Sequence, residues 1–185
     1  PMTMGQTFEL FASSLEVELM RLNTSAFSFL DIKLGGKSID FSLNSDAEFS
    51  KKLVKHLKEV CDIDIKLSSN TYEDNQDIWE YIQYSSSIKR LAIKLSKICN
   101  DIRLMASGPR TGINELKLPN ILPSLNNKLG KNDTSVIDMV TQISFKVIAN
   151  DQAITMASEA GDLEFNAMEP LIVQCLYESI ELLRN

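Results

Sequence analysis

Histidine and cysteine, the side chains most used as neutral-pH bases, thiol nucleophiles and zinc ligands, are few in this 185-residue chain. There is one histidine, His56, and three cysteines, Cys61, Cys99 and Cys175, with no CxxC pair. A single histidine leaves few ways to build a Ser-His-Asp triad. Dispersed cysteines in odd number suit neither a zinc cluster nor a disulfide scaffold. His56 lies in the basic amphipathic run KKLVKHLKEV and reads as a solvated helix-face residue. The cysteines read as reduced, buried thiols of a cytoplasmic protein. What remains is one polar stretch, Ser107 to Asp138, SGPRTGINELKLPNILPSLNNKLGKNDTSVID. Pro109, Pro119 and Pro123, with Gly108 and Gly112, bar a continuous helix from crossing it. A long loop between rigid helices is a usual place for chemistry, and a solvated connector has the same composition.

The elements that must position this stretch are helical. Phe8, Phe11, Leu15, Leu19, Leu22, Ala26 and Phe29 recur in steps of three and four, which predicts a helix from Gln6 to about Leu34. Glu9, Glu16, Glu18 and Arg21 fall mostly off that stripe. Thr3 suits its N-cap, with Gln6 completing a capping box, and Gly35-Gly36 ends it. A short helix is expected from Glu48 to about Val60. The alternation DIDIKL after Cys61 has no evident partner strand and reads as extended coil. A second long helix spans Asp74 to about Ala106 on the stripe Ile78, Ile82, Ile88, Leu91, Leu95, Ile98, Ile102 and Met105. Ser135 caps a third, Val136 to about Thr155, and a last begins near Met168 with Pro170 in its first turn. The fold class is therefore all-α, a bundle of long helices. Phe145, Ile148 and Met156 lie beyond the third helix's main stripe, so that helix is expected to be covered on more than one side by partner subunits.

Charge and hydropathy exclude some classes. A net charge of −6 argues against a nucleic-acid binder, which needs a basic face to pair with phosphates. No apolar run approaches a membrane span of roughly 18 residues, and PMTMGQTFELF lacks the form of a signal peptide.

Two segments carry a family likeness. Lys94 to Pro119, KLSKICNDIRLMASGPRTGINELKLP, and Gln142 to Ser179, QISFKVIANDQAITMASEAGDLEFNAMEPLIVQCLYES, resemble the fumarase/aspartase superfamily. KICNDIRL, the MEP of Met168–Pro170, Gln174 and Glu178-Ser179 resemble the aspartate ammonia-lyase branch, because fumarases usually carry KP where Glu169-Pro170 stands. The likeness extends over the whole chain, including the start at PMTMGQ. It implies the long-helix bundle that forms the central domain of a three-domain subunit. The N-terminal and C-terminal domains of the family would then lie outside residues 1–185. It also implies a homotetramer. No cofactor and no metal are expected.

In the family, a serine in a loop of the form GSSxMPxKxNP removes the proton next to a carboxylate, and ammonia leaves to give fumarate. The developing enediolate needs fixed donors and cations around it. Laid onto this chain without gaps, the base position falls on Asn126, whose amide cannot accept the proton usefully. Ser124 is the nearby hydroxyl that could substitute if the loop slipped by two residues. The loop's carboxylate-binding lysine and asparagine fall on Lys131 and Asp133. Lys131 reads either as a retained carboxylate clamp or as a solvated lysine. The second substrate loop, GTGxN, keeps only Asn44, with Asp40 and Phe41 where a glycine and a small hydroxyl residue belong. The candidate substrate-binding positions are thus Lys131, Asp133 and Asn44. Arg103 and Arg110 are expected to pair with Asp101 or Glu115 or to cap the loop. Asn150, Asp151, Glu159 and Asn166 are expected as buried hydrogen-bonding groups between helices. Three functions remain open: an aspartate ammonia-lyase or a piece of one, a helical assembly module that has lost catalysis, or a lyase whose re-made loop takes another substrate.

Overall fold

A computed structural model describes residues 2–32, 48–68, 77–119, 134–163 and 165–185. Among them run five α-helices: α1 (Met4–Ala26), α2 (Phe49–Cys61), α3 (Trp79–Met105), α4 (Ser135–Glu159) and α5 (Glu169–Arg184). The fold is all-α, as the periodicity predicts. α3 is the spine. Arg90 meets Glu18 on α1, and Tyr81, earlier on α3, meets Phe29 just beyond the end of α1, so the two helices run antiparallel. Arg103 meets Asp138, Ala92 meets Ser144 and Ser85 meets Asp151, which makes α4 antiparallel to α3. α5 then returns along α4 through Asn150 and Ser179.

The core lies where α3, α4 and α5 meet. Ile88, Ala92, Val147, Ile154, Ile172 and Leu176 fill it, with Phe29, Tyr81 and Tyr84 packed at its edge. Phe29 meets both tyrosine rings edge-on at centroid distances of 5.2 and 5.4 Å, the favoured aromatic arrangement. The Ser144 hydroxyl reaches the Ala92 carbonyl across the α3–α4 crossing at 2.9 Å. That approach is possible because both side chains are small.

The capping box forms as expected. Gln6 N donates to Thr3 Oγ1 at 3.3 Å, and Thr3 N donates to Gln6 Oε1 at 2.9 Å. Several expectations need correction. α1 ends at Ala26 and passes through a 3-10 turn, Phe27–Leu30, well before Leu34. There the hydroxyls of Ser25 and Ser28 donate to the carbonyls of Leu22 and Ser25, a local competition that weakens a helix end. DIDIKL does find a partner: β2 (Lys66–Leu67) pairs in parallel with β1 (Asp31–Ile32), which the end of α1 delivers. Along α1 the buried positions are Phe11, Glu18 and Ser25, whereas Phe8 and Leu19 are exposed. α4 runs on to Glu159, and its N-cap is Thr134 rather than Ser135. α5 begins at Glu169 with Pro170 in its first turn, as predicted.

Cys175 is buried, Cys99 half-buried and Cys61 exposed. Cys61 departs from the expectation because it is the last residue of α2, where the chain turns away through the left-handed Asp62 at φ 52°. His56 is exposed beside Glu59, as expected, with Nδ1 3.2 Å from a carboxylate oxygen.

Candidate functional site

The framework of the candidate site is the last turn of α3, the turn that follows it and the first turn of α4. Ser107 accepts on its carbonyl from Asn114 N at 2.6 Å, while its hydroxyl accepts from Ile113 N at 3.2 Å. A methyl group added at Gly112 would overlap the Ser107 carbonyl, so only glycine allows this close return. Gly108 and Asn114 take positive φ, 126° and 54°, which glycine and asparagine tolerate best. Glu115 N and Leu116 N both donate to Met105 O, at 2.8 and 3.1 Å. The SGPRTGINEL segment is therefore a closed turn that pins the outgoing chain to the end of α3.

From the other side, Thr134 stands at the N-cap position of α4, and its hydroxyl caps no backbone N–H but donates to Asp138 Oδ2 at 3.0 Å. Asp138 Oδ1 accepts from Arg103 Nη2 at 2.8 Å. Arg103 thus pairs with Asp138 and not with Asp101 or Glu115; Asp101 is held by Lys97, one helical turn earlier. The pairing with Asp138 follows from the antiparallel docking of α4 on α3. Arg110 is exposed on the turn. Ser124, Asn126, Lys131 and Asp133 lie between these two anchors in sequence, and outside the described residues, as do Asn44, Asp40 and Phe41.

Away from the loop, buried polar groups tie the helices together. Asp151 accepts from Ser85 Oγ at 2.8 Å and from Lys89 Nζ at 2.5 Å. Asn150 donates to the Cys175 carbonyl, Glu178 and Ser179 on α5. Asn166 donates to the carbonyls of Ala157 and Ser158 and accepts from Met168 N, closing the α4–α5 connection. These three match the expectation. Glu159 does not: it is exposed at the end of α4, beyond the cover of neighbouring helices. The group that the sequence pattern missed is Glu18, only 2% exposed, which accepts from Arg90 Nε at 3.1 Å and Nη2 at 3.0 Å and from Arg21 at 3.2 Å. The Arg90 hydrogen bonds hold its carboxyl below the ordinary value against the opposing effect of burial. The Asn150 and Lys146 hydrogen bonds likewise lower Glu178. Burial raises the thiols of Cys99 and Cys175. Among the described residues no three histidine, cysteine or carboxylate side chains converge as a metal site requires. No helix among them is long and apolar enough to cross a membrane.

The described residues thus form a bundle of long antiparallel helices in which the closed SGPRTGINEL turn ends α3. The sequence profile of the lyase family matches residues 1–123, and the chain belongs to that family, within the fumarase/aspartase superfamily. It is 40% identical to the aspartate ammonia-lyase of Escherichia coli and 42% identical to that of Pseudomonas aeruginosa. Both matches cover all of this chain and 39% of the relative, so the chain spans about two fifths of the length of these curated relatives. Among solved structures it is similar to a fumarate lyase:delta crystallin from Brucella melitensis, with 38% identity and a TM-score of 0.94 over 99% of this chain and 40% of that one. A class II fumarase from Schistosoma mansoni shares the fold, with a TM-score of 0.91 at 24% identity over 99% of this chain and 41% of that one.

Proposed function

We propose that the chain is the central helical bundle of an aspartate ammonia-lyase-type protein, built to frame the elimination of ammonia from L-aspartate, and that it does not catalyse this step as it stands. The observation that carries the lyase reading is identity of about 40% to aspartate ammonia-lyases along the entire chain. The buried polar ties Asp151–Lys89 and Asn150–Ser179 support an intact scaffold. The residues that would do the chemistry support the loss of catalysis. An amide, Asn126, stands at the base position, and removal of a general base typically costs about 10²–10⁴-fold. Asp133 and Asp40 stand at sequence positions where the family's loops carry an asparagine and a glycine, and a like charge about 4 Å from a carboxylate costs on the order of 1–4 kcal/mol, depending on screening. These substitutions favour a second reading, a helical assembly module without catalysis.

Assembly as a homotetramer belongs to the same proposal. α4 leaves Phe145 and Met156 each 63% exposed, and α1 leaves Leu10 and Met20 exposed. Apolar patches on several helices suit contacts with further copies. Three free thiols suit a reducing, cytoplasmic setting. The test incubates the purified chain with L-aspartate and follows fumarate by ultraviolet absorbance. No turnover is expected from the unmodified chain. Asn126→Ser, Asp133→Asn and Phe41→Thr introduced together test whether the lost groups suffice to restore it. Turnover by the unmodified chain that disappears in Ser124→Ala would overturn the inactive reading and make Ser124 the base.

A further inference from the structure

Glu18 gathers more positive charge than it balances. Its Oε1 accepts from Arg21 Nη1 at 3.2 Å and from Arg90 Nη2 at 3.0 Å, so guanidinium groups from α1 and α3 are held against a single oxygen. Arg90 adds a bond from Nε to Oε2 at 3.1 Å. Lys94, one turn along α3 from Arg90, has no ion pair among the described residues and acts on Glu18 only through space. Three cations thus face one carboxylate, in a chain whose net charge is −6. The carboxylate is buried, whereas the Arg21 and Arg90 side chains are about half exposed and Lys94 is half-buried. Each guanidinium carries five N–H donors; Arg90 commits two to Glu18 and Arg21 one. We infer that Arg21, Arg90 and Lys94 form an anion site on the α1–α3 seam, which takes a small dianion of the phosphate or dicarboxylate class. The excess of two positive charges matches a dianion, and a planar guanidinium fork pairs with two oxygens of one group. Glu18 holds both forks in place before the ligand arrives, so little side-chain freedom is lost on binding. The inference is independent of the lyase reading and of its substrate loops.

The experiment follows lysine acylation on the full folded chain by peptide mass spectrometry. Inorganic phosphate and succinate are titrated separately at constant ionic strength, because general screening would slow every lysine alike. Exposed Lys52 on α2 is the internal reference. Lys94 is expected to lose reactivity in a saturable manner while Lys52 does not. Protection by either anion supports the site, and the anion that protects at lower concentration names its class. In Arg21→Gln the concentration for half-protection should rise about two- to five-fold, the range of an exposed charge pair. Arg21→Lys keeps the charge without the fork and should recover part of that loss. Arg90 is left in place because it supplies two of the three bonds to Glu18. No saturable protection by either anion, equal protection of Lys52, or an unchanged half-protection concentration in Arg21→Gln overturns the inference. So does a Lys94 that fails to react without added anion, since a covered lysine cannot meet a free ligand.

Discussion

Glu18→Gln probes how far the bundle depends on a buried charge between α1 and α3. Glu18 is almost wholly buried and receives three guanidinium hydrogen bonds of 3.0–3.2 Å, two from Arg90 and one from Arg21. A hydrogen bond to a charged group nets about 1.5–3 kcal/mol. Breaking a fully buried pair costs about 3–5 kcal/mol, because the orphaned charge cannot reach water. Here the Arg90 and Arg21 side chains are about half exposed, so both can rehydrate, and the glutamine still accepts one bond. The expected loss is therefore about 1–2 kcal/mol, or roughly 2–8 °C in unfolding midpoint for a chain of this size. Urea unfolding at fixed protein concentration measures it, since assembly would make the midpoint concentration-dependent. The pH dependence sharpens the test. Arg90's hydrogen bonds lower the folded-state pKa of Glu18, so the carboxylate's stabilisation is complete above the unfolded value of about 4.3. It is lost as pH falls through the lower, folded value. The gap between native and variant should be widest near neutrality and close in acid, where both carry an uncharged side chain. A gap of only a few tenths of a kcal/mol at neutral pH, or one that does not narrow in acid, would refute the reasoning.

Ile154→Ala should cost about 2–5 kcal/mol in denaturant unfolding, because its side chain is enclosed on the α3–α4–α5 face. A thiol reagent should label Cys61 fastest and Cys175 slowest, since burial raises the Cys175 thiol and hides it; time-resolved mass spectrometry reads the order. Thr3→Ala removes half of the capping box and should destabilise α1 by about 0.5–2 kcal/mol, visible as faster amide exchange at Gln6 and Thr7. Light scattering at micromolar concentration should find a tetramer, and a stable monomer would contradict the partner surfaces read from α1 and α4.

The sequence by itself determined what depends on neighbours within a few residues along the chain. Three- and four-residue spacing marked the helices, Thr3 and Gln6 marked a cap, Pro170 marked the first turn of α5, and the two flanking segments marked the family. The tertiary structure decided everything that depends on a residue far away in sequence. Glu18 looks like a surface acid until α3 brings Arg90 against it from 72 positions away. Arg103 had nearby acids to choose from, yet the antiparallel packing of α4 assigned it Asp138. DIDIKL lacked a visible partner because its partner is a two-residue strand at the end of another helix. Hydrophobic periodicity reports which face of a helix is buried, but not which charge on the opposing helix will arrive there. That is fixed by the register of packed side chains, a property of pairs of helices that no single stretch of sequence contains.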